Sequence, residues 1–214
     1  GIAELEPTWA DYYTETLHEK AITVERDITE RRLEAREDVP VRFAEVTMRK
    51  RITGFQRRDA NTGQPIGEEA LDLPETSLRT RAFYFTVPED VERSMRAAAG
   101  SFDGGIHAAE HAVISMLPNE VLCDRRDIGG VSTPLHPHTG RSTVFVYDGY
   151  PGGVGLTRAA YGDVDGLLET TLSMLGSCPC EDGCPACVQS PHCGNANDPL
   201  DKGLAIDLLG ALTG

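Results

Sequence analysis

The stretch CPCEDGCPACVQSPHCG, residues 178–194, holds five of the chain's six cysteines. Cys178 and Cys180 form a Cys-x-Cys pair, three residues separate it from the Cys184-x-x-Cys187 pair, and five more separate that pair from Cys193. Tetrahedral zinc takes four thiolates at roughly 2.3 Å. Pairs this close in sequence can reach one ion without long loop closure. Gly183 relaxes the turn between the pairs, Pro179 and Pro185 stiffen it, and Cys184-Pro-Ala-Cys187 resembles a zinc knuckle. Four protein ligands leave no open position, so the spacing predicts one structural zinc ion on Cys178, Cys180, Cys184 and Cys187. Disulfide frameworks spread their cysteines along small secreted chains, which argues against bonded or merely free thiols here. An iron–sulfur cluster held by four cysteines is the sharper rival, but the tight Cys-x-Cys bite suits a single ion better. Cys193 is a fifth candidate that could replace one of the four; otherwise it reads as a free thiol.

Around this loop the sequence is helical. A last helix is expected over about 199–212, burying Ala205, Leu208, Leu209 and Leu212. Upstream, GYPGGVG (149–155) reads as a tight strand-to-helix turn opening a helical region that runs to about Leu175; it lacks the spacing and lysine of a P-loop. TVFVYD (143–148) reads as a buried strand. A helix over about 104–117 places Ile106, Ala109, Val113 and Leu117 on one face, and a shorter one starts after Pro88 and stops before Gly100. The first half differs. Residues 41–58 alternate apolar and basic side chains as strands do, 59–70 carries turn residues, and LRTRAFYFTV (78–87) reads as a strand. VERDITERRLEARED (24–38) has little to bury and suggests an exposed helix or linker. The expected fold is α+β: an acidic lead-in (1–40), a β-rich subdomain (41–87), and a mainly helical zinc-binding subdomain (88–214).

Several other groupings compete for chemistry. His107, Glu110 and His111 spell H-x-x-E-H, the inverted zinc-protease motif, with two histidines four apart on one helix face. A self-contained zinc hydrolase would also need a third ligand and an open site; the plainer expectation is buried hydrogen bonds to neighbouring elements. CDRRDIGGVS (123–132) reads as a salt-bridged turn, and STPLHPHTG (132–140), with His136 and His138, as an exposed loop. Net charge is −14 over 214 residues, so the chain as a whole is repelled by nucleic-acid phosphates. Arg49, Lys50, Arg51, Arg57 and Arg58, with Phe43 and Phe55 nearby, are the local exception and the candidate DNA contact. The acidic remainder also allows a protein-interaction module. No run approaches the roughly 18 apolar residues of a membrane span, and no signal peptide is visible, so a cytoplasmic setting is expected. The chain opens on Gly1 and reads as a processed product or fragment.

Six blocks carry a family resemblance: DYYTE (11–15), RITGFQRRDANTGQPIGEEALDLPE (51–75), HAAEHAVISMLP (107–118), CDRRDIGGVS (123–132), VFVYDGYPGGVGLT (144–157) and CPCEDGCPACVQSPHCGNANDPLDKGLA (178–205). In this order they resemble the C-terminal zinc-binding region of bacterial superfamily-2 DNA helicases of the mitomycin-repair type, the MrfA or SftH family. The resemblance implies that Cys178, Cys180, Cys184 and Cys187 are the zinc cysteines. It implies that the H-x-x-E-H stretch belongs to the family pattern rather than to a protease. It further implies a parent enzyme that uses ATP to move 3′-to-5′ along single-stranded DNA in repair, at the nucleoid, with this region beside two RecA-like motor domains. The chain holds no G-x-x-x-x-G-K-[ST] and no Asp-Glu-x-His box, so ATP is expected only in motor domains outside it. It reads as a C-terminal piece of a longer protein.

Overall fold

The computed structural model describes residues 9–214; the first eight residues of the acidic lead-in lie outside it. The elements are β1 (Tyr12–Arg32), β2 (Pro40–Asp59), β3 (Pro65–Ala70), β4 (Thr76–Thr86), α1 (Glu89–Ala97), α2 (Phe102–Glu120), β5 (Ile128–His136), β6 (Arg141–Asp148), α3 (Leu156–Gly162), α4 (Val164–Ser177) and α5 (Lys202–Thr213). The β-rich first half and mainly helical second half make an α+β fold. One antiparallel sheet in the order β1-β2-β4-β6-β5 runs through both halves, with β3 paired to β2.

Both faces of this sheet are buried, and strand parity divides them. Val41, Phe43, Phe83, Phe85, Val144 and Val146 point to the helices, where they join Ile106, Ala109, Val113 and Leu117 of α2 and Leu204, Leu208 and Leu212 of α5. The alternate residues Ala44, Val46, Ala82, Tyr84, Phe145 and Tyr147 form a second cluster on the opposite face. The sheet curls around that cluster until its two end strands touch. Lys20 Nζ on β1 donates to the Gly130 carbonyl on β5 at 3.4 Å, and His136 Nε2 lies 3.0 Å from the Ile22 carbonyl.

Three sequence expectations need correction. Residues 24–38 are neither helix nor linker: most belong to β1, which pairs with β2 from Tyr12↔Asp59 to Arg32↔Pro40. The strand does bury little, Ile22 being its one buried side chain. Its backbone is satisfied by β2 instead, and its charges pair across the strands, as in Arg26–Glu45 at 3.1 Å. A charged edge strand resists pairing with other chains, so high charge did not exclude a strand. The segment 132–140 is mostly β5, with His136 buried, rather than an exposed loop. Residues 65–70 of the expected turn extend the sheet as β3, every residue of which is exposed.

The helices fall close to their expected places. Ser101 caps α2 by accepting from the Gly104 N–H at 3.0 Å. Asp201 caps α5, accepting from the Leu204 N–H at 2.9 Å, and its other oxygen accepts from the Ser101 N–H at 3.1 Å. One carboxylate thus ties the starts of α2 and α5 together and fixes the end of the cysteine-rich loop relative to α2.

Candidate metal centre

The four expected cysteines converge at the end of α4. Sγ–Sγ separations are 3.5 Å for Cys178–Cys180, 3.6 Å for Cys178–Cys184, 3.5 Å for Cys180–Cys187 and 3.7 Å for Cys184–Cys187, and all four sulfurs lie within 4.8 Å of one another. A tetrahedron of thiolates at roughly 2.3 Å from a central ion has edges of about 3.8 Å, so the cage is sized for one zinc. The knuckle expected from Cys184-Pro-Ala-Cys187 is present. The Cys184 carbonyl accepts from the N–H groups of Cys187, Val188 and Gln189 at 3.0–3.2 Å, and the Cys184 N–H donates to Cys187 Sγ at 3.2 Å. Gly183 carries φ +102°, and a Cβ there would lie 2.4 Å from Val188 Cγ2, so both conformation and space demand glycine.

Lys202, the first residue of α5, completes the cage and escaped sequence inspection. Its buried ammonium donates to the carbonyls of Cys178 at 2.8 Å and Cys180 at 2.6 Å, and lies 3.5 Å from Cys180 Sγ. Four thiolates around a divalent ion leave a net charge of about −2, which a buried cation offsets. Burial raises the Cys180 thiol, but hydrogen bonds from Cys187, Cys178, Cys184 and Lys202 outweigh it and bring the pKa down to about 7.

Cys193 joins neither the cage nor a disulfide. It meets the H-x-x-E-H helix: its Sγ lies 3.5 Å from His107 Nε2, and the ligand atoms of His107, His111 and Cys193 all lie within 4.8 Å of one another. Both histidines make the expected hydrogen bonds to neighbouring elements, His107 Nδ1 to the Pro199 carbonyl at 2.8 Å and His111 Nδ1 to the Val188 carbonyl at 2.7 Å. The fifth cysteine and the paired histidines were each visible in sequence. Their 86-residue separation hid that they belong together.

These residues line a cavity of about 790 Å³ between α2, β1, β5 and the cysteine loop. Its lining is mixed in charge, with the carboxylates Glu19, Asp103 and Glu110 beside four cations. Lys20, Lys50, Arg125 and Arg126 all face it, and none forms an ion pair among the described residues. This corrects the salt-bridged turn expected at 123–132. Asp124 and Asp127 instead cap the 3₁₀ turn reciprocally, and Asp127 accepts from Tyr150 Oη at 2.6 Å, which leaves both arginines to the cavity. His18, also in the wall, has neither ring nitrogen hydrogen-bonded. Burial, with Lys50 and Lys20 beside it, lowers its pKa to about 4.

The basic stretch on β2 is compensated. Arg49 pairs with Glu75 at 3.9 Å, Arg51 with Asp72 at 3.3 Å, Arg57 with Glu69 at 2.7 Å and Arg58 with Glu15 at 2.6 Å. Lys50 alone turns away, into the cavity. The glycine-rich turn at 149–155 is likewise already occupied. The fully buried Asp148 carboxylate accepts from the N–H groups of Val154, Gly155 and Thr157 at 2.7–2.8 Å, filling the nest a phosphate would need.

Known proteins are similar to this chain in sequence and fold. Residues 109–188 match the family model described as the MrfA Zn-binding domain. Over 107 residues the chain is 39% identical to the uncharacterized protein MJ1572.1 of Methanocaldococcus jannaschii, covering 49% of this chain and 96% of that protein. Over 150 residues it is 33% identical to the uncharacterized ATP-dependent helicase YprA of Bacillus subtilis, covering 68% of this chain but 19% of the helicase. In fold it is similar to the crystal structure of the DUF1998 helicase MrfA bound to DNA, with a TM-score of 0.62, 24% identity, and coverage of 96% of this chain and 26% of that one. The chain thus spans about a fifth of the curated helicase and nearly all of the archaeal protein. A sequence that shares its cage-bearing segment with that family model, and so much of itself with these relatives, belongs to the MrfA zinc-binding domain family.

Proposed function

We propose that this chain is the zinc-bearing, non-catalytic module of an ATP-dependent 3′-to-5′ DNA helicase acting in DNA repair at the nucleoid, and that it helps enclose and guide single-stranded DNA beside the RecA-like motor domains of the same protein. The observation that carries the reading is the four-thiol cage at the end of α4, with Cys178, Cys180, Cys184 and Cys187 holding one zinc. Zinc there supplies a cross-link in place of a larger core. It fastens the start of the cysteine loop to α4, and Lys202 fastens the cage to α5. The names of the relatives support a helicase context, YprA through its ATP-dependent activity and MrfA through its DNA-bound structure.

The 214 residues contain no P-loop lysine to hold ATP phosphates, so the isolated chain should not hydrolyse ATP. Its DNA contact is proposed to involve Arg49, Lys50, Arg51, Arg57 and Arg58. The ion pairs that now occupy four of these are surface pairs, each contributing about 0–1 kcal/mol, which a phosphate can displace. The test compares the chain alone with the parent helicase carrying Cys184→Ser. The chain should show no DNA-stimulated ATP turnover, and the variant helicase should unwind poorly while its motor still hydrolyses ATP. ATP turnover that follows this chain through purification would overturn the reading.

A further inference from the structure

We propose that His107, His111 and Cys193 form a second metal site, separate from the cysteine cage, which holds a zinc-type divalent ion through two imidazoles and one thiolate and leaves its fourth position open to the cavity.

The geometry begins with α2. Residues four apart share a helix face, and the two imidazole rings stand 4.3 Å apart, centroid to centroid. Each directs Nδ1 at a main-chain carbonyl, Pro199 for His107 and Val188 for His111. That contact places the ring proton on Nδ1 and leaves the Nε2 lone pair available. It is also the outer hydrogen bond that orients metal-bound histidines generally. The third group comes from the loop. Cys193 Sγ lies 3.5 Å from His107 Nε2, and all three ligand atoms fall within 4.8 Å of one another. Around an ion with nitrogen at roughly 2.0 Å and sulfur at roughly 2.3 Å, tetrahedral neighbours are separated by about 3.3–3.5 Å. The Cys193–His107 separation of 3.5 Å matches this spacing, and the other two pairs lie within 4.8 Å.

The loop is built to hold this sulfur in place. Ser190 and Asn197 bond each other twice, at 2.7 and 3.0 Å, closing the turn that carries Cys193. The Asn197 N–H donates to Cys193 Sγ at 3.3 Å. The Gly194 carbonyl accepts from the His18 N–H at 3.0 Å, so β1 clamps the next residue. Mixed imidazole and thiolate ligands in a tetrahedral arrangement suit zinc.

Among the described residues only these three groups meet at the site, and the cavity lies in front of the fourth position. Glu110, from the same helix, lines that cavity, and its carboxylate makes no hydrogen bond to another described residue. Gly130 makes room for it: a Cβ there would stand 2.6 Å from Glu110 Oε1. Three protein ligands and an open position facing a cavity mark an exchangeable site, unlike the closed cage. Lys20, Lys50, Arg125 and Arg126 line the same cavity together with Glu19, Asp103 and Glu110, so the open position faces a polar space that can hold a water or a small oxygen ligand.

Metal counting tests this. The 214-residue chain is loaded with zinc, passed over a desalting column, and its metal measured per mole of folded monomer. The same is done with cobalt, whose visible bands distinguish a four-thiolate site from a two-imidazole, one-thiolate site. Two equivalents are expected for the unaltered chain, one for Cys193→Ala or His107→Ala, and two again for Cys193→His. The remaining cobalt spectrum of Cys193→Ala should be that of the thiolate cage alone. One equivalent in the unaltered chain overturns the proposal, as do two equivalents that survive both substitutions. If neither variant folds, the count and cobalt spectrum of the unaltered chain decide by the same criteria. Cys184→Ser removes the other equivalent, so failure of the cage and failure of this site read differently.

Discussion

The four-thiol cage and the His107–His111–Cys193 cluster share one loop, yet they are assembled in opposite ways. The cage draws all its ligands from ten consecutive residues, and its edges of 3.5–3.7 Å enclose the space for an ion completely. A buried lysine offsets its charge. The cluster draws two groups from a helix and one from a loop 86 residues away, faces a cavity, and stands among cations. A site closed by local spacing can form as soon as its loop forms. A site closed by tertiary structure exists only once α2, α5 and β1 have docked. The first is suited to stabilising the fold, and the second depends on the fold already being there.

The largest effect should therefore come from the cage. Removing a structural metal removes folding free energy directly. For Cys184→Ser a deficit of about 4 kcal/mol, at roughly 2–4 °C per kcal/mol for a chain of this size, lowers Tm by about 8–16 °C. Cys193→Ala should lower it by less than half as much. Equal losses in thermal unfolding, both starting from zinc-loaded protein, would break the distinction between the two sites.

Lys202→Met sharpens the same contrast from outside the cage. The fold should persist, since the aliphatic stem is replaced in kind, but the carbonyls of Cys178 and Cys180 lose their donor at a cost of about 1–3 kcal/mol each if left unsatisfied. Loss of an outer-shell partner typically weakens metal affinity about 10–100-fold. Chelator competition should show that decrease for the cage metal alone. An unchanged cage affinity would mean the lysine serves only α5.

What was legible in the sequence follows this same division. The cage was readable because its pairs are two and three residues apart, and the faces of α2 and α5 because helical periodicity repeats within a dozen residues. β1 was missed because its strand character is supplied by β2: charged residues with little to bury carry no local strand signal, yet 19 residues of the strand find registered partners. Lys202 was missed because a lysine at a helix start looks solvated until α5 is docked on the cage. The role of Asp148 could have been suspected, since an acidic residue ending a buried strand beside a glycine run needs amide donors, and that run supplies them. Arg125 and Arg126 were assigned to the neighbouring aspartates, which the turn uses for its own backbone.

The cavity wall makes a pH prediction. The folded pKa of His18 is about 4 against an ordinary 6.5, because burial and the charges of Lys50 and Lys20 oppose its protonation. A base whose pKa is depressed by folding leaves the unfolded chain binding more protons. Stability from this group is therefore fully present above pH 6.5 and is lost as the pH falls toward 4. His192 is shifted the same way, by burial and then by Arg125 and Arg126. Urea unfolding between pH 7 and pH 4 should show a shallower decline for His18→Gln than for the unaltered chain. Parallel declines would mean that neither burial nor the neighbouring lysines oppose protonation of His18.

The smallest effect concerns DNA, and it separates two cationic surfaces. On β2, Arg57 and Arg58 are already held by Glu69 and Glu15, and Arg57 also lies 5.7 Å from the ring centres of Tyr12 and Phe55. In the cavity wall, Lys50, Arg125 and Arg126 have no carboxylate partner among the described residues. A net charge of −14 repels phosphate over about 10 Å at ordinary salt, so only close approach can bind. A phosphate meeting the β2 stretch must displace paired carboxylates, whereas one entering the cavity meets cations that are in no ion pair among the described residues. Arg57→Glu with Arg58→Glu should cost about 1–2 kcal/mol of stability, mostly at Arg58, which is part-buried and loses both Glu15 and the Gly63 carbonyl. It should weaken single-stranded DNA binding about three- to tenfold in fluorescence anisotropy at low salt. The salt slope should fall by about 1.4, at roughly 0.7 for each single-strand phosphate no longer neutralised. If the doubly reversed chain binds as before and Arg126→Glu carries the loss instead, the strand-borne arginines serve the sheet, and the DNA-facing charge of this chain is the unpaired set around the cavity.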